Sequence, residues 1–170
     1  MVETKTFMGA EGRFEDWIFL RMLEREWSRR LDPEDYVSDS TIENRPSPRA
    51  AIVVTFWTYF ETRIERLLRG GMRELPEPVV EELLSRNTGI GRRLDHLYRV
   101  LFQSTYHADL DFLGYADIAT LLRRIQDSRN RFAHGEPGAI DDDLVAEVVS
   151  SLKKEHEGWI AVYNSRAARI

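Results

Sequence analysis

Three residues within SRNRFAHG offer chemistry: Arg129, Asn130 and His134. The surrounding run, LLRRIQDSRNRFAHGEPG, has helical spacing that stops at Gly135, with Pro137 just beyond. At about 100° per residue, Ile118, Leu122, Ile125 and Phe132 share one narrow arc, and Arg129 falls inside it. Asp127 and Arg131 point away. A guanidinium on a core stripe is costly unless it is paired or lines a polar cleft. His134 stands roughly 140° around an ideal helix from Arg129, so one chain does not put both on a single face. The helix terminus can aim His134 elsewhere, and a two-fold dimer would bring both residues from two chains into one shared cleft. The plain alternative for His134 is a favourable partner for the helix dipole in its last turn. As chemistry, an imidazole transfers protons near neutrality and a guanidinium suits a phosphorane bearing extra negative charge. Neither step needs a metal.

A partner for the arginine is expected on another apolar helix. In AAIVVTFWTYFETRIERLL, Glu61 falls within the arc of Val53, Trp57, Ile64 and Leu68. Glu61 and Arg129 are therefore expected to approach each other at the edge of the core, either as part of a site or as an ion pair that fixes helix register. Other chemistries find less support. The four histidines, His96, His107, His134 and His156, lack the short spacings of metal ligands. Asp141, Asp142 and Asp143 open a helix, where carboxylates cap amides, so no metal and no cofactor are expected. NTGIGRR matches no phosphate-loop or dinucleotide pattern, and Asn87 or Thr88 reads as a helix cap. Arg92 and Arg93 beside it are candidates for contact with an RNA backbone. There is no Gly-x-Ser-x-Gly elbow, and with no cysteine there is no thiolate or disulfide chemistry.

The elements that must position these residues are helices. An amphipathic helix is expected over 11–32 and a long central one over 48–69, with Ser47 and Pro48 at its start and Gly70-Gly71 at its end. Its β-branched and aromatic content suits a strand, but the helical period holds over a length no ordinary strand reaches. Shorter helices should begin near Pro76 and after Thr88, while QSTYHADLDFLG reads as irregular or a short turn of helix. A helix over 115–134 and a last one from Asp141 to about Asn164 complete the expectation: a single-domain, all-α bundle of five to six helices over residues 1–170. Hydrophobic content of 42% and charged content of 31% are ordinary for a globular chain of 170 residues. A net charge of −5 argues against coating nucleic acid by bulk electrostatics, although among the 24 basic residues only Lys5, Lys153 and Lys154 are lysines. The opening MVETKTFMGAEG lacks the pattern of a secretory leader, and AAIVVTFWTYF is too short to span a bilayer, so a soluble cytoplasmic protein is expected.

SRNRFAHG resembles the Arg-x4–6-His signature of HEPN domains, in which a polar residue follows the arginine, here Asn130. The all-α reading, the motif near the end of the penultimate long helix and the helix after it agree with that family. FWTYFETRIERLL also resembles the aromatic-then-Glu helix of several bacterial HEPN groups. The resemblance implies a metal-independent endoribonuclease of toxin–antitoxin, phage-defence or RNA-processing systems, with RNA as substrate and, in toxin systems, a neutralising antitoxin protein as partner. It implies a homodimer with a composite active site. Arg129 would bind and stabilise the scissile phosphate. His134 would act as general base or acid while the 2′-hydroxyl attacks, leaving a 2′,3′-cyclic phosphate and a 5′-hydroxyl. Asn130 would position phosphate, orient His134 or cap the neighbouring helix end, with Glu61 in support. One departure is Glu136, which stands where some HEPN toxins carry a modifiable tyrosine. The family also contains non-catalytic members, so the alternative is a dimerisation or binding module for a protein, nucleotide or RNA.

Overall fold

A computed structural model of the chain describes residues 14–32, 35 and 45–168. They form seven helices and no strand. These are α1 (Phe14–Ser28), α2 (Ala50–Gly71) and α3 (Glu77–Arg86), then α4 over 90–102, α5 (Tyr106–Phe112), α6 (Ala116–Ala133) and α7 (Asp142–Arg166). Among the described residues no helix is long and apolar enough to cross a membrane. The expected count of five to six was low because Tyr106–Phe112 is a true helix. Thr105 caps it, its hydroxyl accepting from the Ala108 N–H at 3.2 Å. Most of the loop expected after the first helix, and residues 11–13, lie outside the described residues.

The chain falls into two compact units. One comprises Tyr59–Ala119 and the described part of Lys154–Ile170; the other, the described part of Arg13–Thr58 with Thr120–Lys153.

In the first unit the second half of α2 buries Phe60, Ile64, Leu67 and Leu68. Edge-on rings extend this core, with Phe60 5.7 Å and Tyr98 6.0 Å from Tyr106. α2 ends at the expected glycine pair, at Gly71, two residues past Arg69. A Cβ on Gly71 would come within 2.5 Å of the Phe102 ring, so the glycine permits close approach rather than a left-handed turn. Of Asn87 and Thr88, the two expected helix caps, Asn87 closes α3, its amide donating to the Leu83 carbonyl at 2.8 Å. Gly89 holds the position before α4.

α4 is not regular: Ile90–Arg92 leads into a π turn over Arg93–Leu97 before Tyr98–Phe102 resumes the α-helix. The π turn is pinned on both sides. Arg93 donates to Glu65 at 3.0 Å and to the Asn87 carbonyl at 2.9 Å, while the Tyr98 hydroxyl donates to Asp109 at 2.5 Å.

Asp109, 5% exposed, is a hub. It also accepts from Ser104 at 2.7 Å and from Arg166 through Nε at 2.7 Å and Nη2 at 2.6 Å. Burial alone would raise its carboxyl, but the hydrogen bonds from Arg166, Tyr98 and Ser104 outweigh it and hold the group below the usual carboxylate range. A depressed carboxyl stabilises the fold above the unfolded value of about 3.9 and loses that contribution as pH falls through the folded one. Asp109→Asn should therefore cost about 2 kcal/mol at neutral pH. Urea unfolding of both proteins between about pH 6 and about pH 3 should show the gap close on acidification. A gap that stays constant would contradict the role given to the ionised carboxylate.

In the second unit α2 begins just after Pro48. The Ser47 hydroxyl accepts from the Arg49 N–H at 3.1 Å and donates to Asp142 at 2.5 Å. Asp141 caps α7, accepting from the Leu144 N–H at 2.8 Å, as the acidic run before that helix led one to expect. Leu20, Leu23, Ile52, Val53, Phe56 and Trp57 are buried here, as are Leu122 and Ile125 of α6.

Candidate active site

The C-terminal end of α6 is built by one glycine. Gly135 has φ of +95°, the Glu136 N–H donates to the Arg131 carbonyl at 3.0 Å, and the Gly135 N–H donates to the Phe132 carbonyl at 3.2 Å. That pattern is a Schellman cap, which only glycine enters without strain. Arg131 and Glu136 close over it as an ion pair at 2.7 Å, so Glu136 takes a structural place at the cap. His134 sits at the turn itself and is exposed. Nothing lies within 4 Å of a Cβ built on Gly135, so Gly135→Ala tests the backbone alone. It should cost roughly 1 to 2 kcal/mol in thermal or urea unfolding. An unchanged midpoint would mean the left-handed turn is not what fixes His134.

The inward stripe of α6 runs out before the helix does. Ile118, Leu122 and Ile125 are at most 1% exposed, whereas Arg129 and Phe132 on the same stripe are half-buried and Ala133 is exposed. Arg129 thus shares the core face in direction but lies beyond the packed region, which spares its charge the desolvation expected on a core stripe. Among the described residues its side chain makes one hydrogen bond, to the Asn130 side-chain oxygen at 3.5 Å, and no ion pair. Its neighbours differ: Arg124 pairs with Glu147 and Arg131 with Glu136. Asn130 is exposed and lies between Arg129 and His134 around the helix.

Arg129, Asn130 and His134 are therefore brought together on one exposed helix end within the second unit. Glu61 belongs to the first unit and is half-buried on α2. The charge that α2 buries completely is Arg63, 0% exposed, whose Nη2 donates to both Glu155 carboxylate oxygens at 2.6 and 2.7 Å. Burial would lower that guanidinium, but the Glu155 carboxylate outweighs it and raises it. Arg63 lies three residues after Phe60 and four before Leu67, a signal present in the sequence but hidden by choosing too narrow an arc. Of the two arginines expected to contact an RNA backbone, Arg92 is exposed, while Arg93 is held by Glu65 and the Asn87 carbonyl.

Two cavities, both in the second unit, lie elsewhere. One of about 880 Å³ follows α1 from Arg21 to Arg29; the other, of about 420 Å³, is lined by Asp35, Arg45, Ser47, Pro48, Asp141 and Asp142. The acids of the second are already engaged, Asp35 by Arg29, Asp141 by its cap and Asp142 by Ser47. Neither includes a residue from 129–134. The motif is an open ledge carrying an imidazole and an un-neutralised guanidinium, suited to a polyanion that lies across it rather than a small molecule that enters it.

Comparison with known proteins supplies no relative. No family model, no curated protein and no solved structure matches the chain. The site therefore rests on its own chemistry and on the resemblance of its motif.

Proposed function

We propose that this chain is a cytoplasmic, metal-independent endoribonuclease of HEPN type that works as a homodimer. The observation that carries this is the state of Arg129. It is the arginine beside Asn130 and His134, it reaches solvent, and no carboxylate pairs with it among the described residues, while acids neutralise Arg124 and Arg131. A cation kept free next to an exposed imidazole suits phosphate chemistry.

The reaction follows from those groups. His134 of one chain takes the proton of a ribose 2′-hydroxyl as its oxygen attacks the adjacent phosphorus. Arg129 stabilises the extra charge on the phosphorane, with Asn130 aligning it. The bond from phosphorus to the 5′-oxygen breaks, and the partner's His134 supplies the proton to that oxygen. The products are a 2′,3′-cyclic phosphate and a 5′-hydroxyl. The half-exposed Arg129 and Phe132 and the exposed Ala133 are where a second copy would complete the cleft. Such an enzyme suits a toxin–antitoxin or phage-defence system, in which a neutralising protein covers the ledge.

The net charge of −5 favours a second reading, a module that binds a partner protein or a nucleotide without cleaving RNA. One experiment separates the two. EDTA-treated protein is incubated with structured and single-stranded RNAs, and the product ends are identified. Cyclic-phosphate ends that depend on His134 establish the nuclease; intact RNA throughout would favour the binding module.

A further inference from the structure

The same helix carries a second un-neutralised arginine. Arg123 is exposed and makes no hydrogen bond or ion pair among the described residues, whereas Arg124, its neighbour, is paired with Glu147. Arg123, Asn130 and His134 are spaced by seven and then four residues. On an α-helix this places them within about 40° of one another, in a single stripe. All three are exposed, and all three belong to the second unit. Along the helix axis Arg123 stands about 10 Å from Asn130 and about 16 Å from His134. Asp127 is the one carboxylate on α6 between Thr120 and Ala133, and it forms no ion pair with Arg123 among the described residues.

Resting on the ribonuclease activity proposed above, we propose that Arg123 is a phosphate contact for the RNA strand away from the scissile bond. The stripe from His134 back to Arg123 is then the track along which the sugar–phosphate backbone lies. Arginine suits that task because its planar fork grips phosphate oxygens without reading a base. Such a contact adds affinity for long strands and leaves the chemical step untouched, so it predicts a dependence on substrate length. Only a strand extending past the cleavage point reaches it.

The test uses the full chain and a fluorescent single-stranded oligoribonucleotide whose 2′-hydroxyls are methylated, which blocks cleavage and leaves binding measurable. Anisotropy is followed across a salt series for the wild type, Arg123→Gln and Arg124→Gln. Arg123→Gln should bind several-fold more weakly, with the slope of log affinity against log salt reduced by about 0.7, the value for one lost single-strand phosphate contact. Arg124→Gln, which removes a cation already committed to Glu147, should change little. Wild-type affinity in Arg123→Gln, equal weakening in both variants, or no binding by the wild type would overturn the proposal. Failure of the ribonuclease activity reads out separately. In that case unmodified RNA yields no cyclic-phosphate ends, while binding to the methylated strand keeps its dependence on Arg123.

Discussion

His134→Ala should lower the rate of RNA cleavage by roughly 10²- to 10⁴-fold, the usual contribution of a general acid–base group. If the imidazoles of both chains act, one as base and one as acid, the loss approaches the upper end. The fold should be indifferent. His134 is exposed and occupies a turn that Gly135, not the imidazole, makes possible, so unfolding should shift by no more than about 0.5 kcal/mol. Arg129 offers the matching control. Arg129→Lys keeps the charge but loses the planar fork, and should recover only part of what Arg129→Ala removes. Initial rates with a labelled oligonucleotide, beside urea midpoints for each variant, decide the matter. Equal activity in wild type and His134→Ala would remove the histidine from the reaction altogether.

Glu155→Gln should be the most damaging single substitution for stability, costing about 3 to 5 kcal/mol. It leaves the Arg63 guanidinium fully buried with its neutralising carboxylate gone. The opposite outcome is expected when both charges go. Two guanidinium nitrogens of Arg63, Nε and Nη1, meet no hydrogen-bond partner among the described residues. The rings of Tyr59 and Trp159 lie 4.5 and 5.5 Å from the guanidinium carbon, so the surroundings already suit an apolar side chain. Arg63→Met combined with Glu155→Leu should therefore be neutral or more stable than the wild type. Chemical denaturation of the single and double variants forms a cycle whose coupling term isolates the pair. A single variant as stable as the wild type would show that the carboxylate is not what keeps the buried guanidinium tolerable.

Much of this was legible in the sequence, and the failures have physical causes. The long period of α2 overrode its β-branched composition because a helix of 22 residues repeats its apolar face several times over. The end of α6 was legible because Gly135 marks a left-handed turn that few other residues enter. Gly70 and Gly71 marked the end of α2, but a glycine that permits close approach looks, in one dimension, like one that permits a turn, so the role of Gly71 was not legible. Asn87 has the same ambiguity, since its amide can close the helix before it or cap the one after it. α5 is only 7 residues long and has too few turns to establish a period. For the charged residues the difficulty was width. The buried face of α2 spans more than the arc through Val53, Trp57, Ile64 and Leu68, so Arg63 lies inside it while Glu61 sits at its margin. At the motif, direction around the helix was legible, but where the packed region stops along it was not.

The π turn over Arg93–Leu97 bears on how this chain is to be compared with others. A turn closed by bonds from i to i+5 holds one residue more than an α turn. Because Arg93 is tied to Glu65 and Asn87, and Tyr98 to Asp109, neither flank can rotate to absorb that extra residue. It is stored as a bulge instead. A kindred sequence with an unbroken helix there would align with this one only across a gap of a single position. Without that gap, every residue on one side of the turn would be matched to the wrong face of its counterpart.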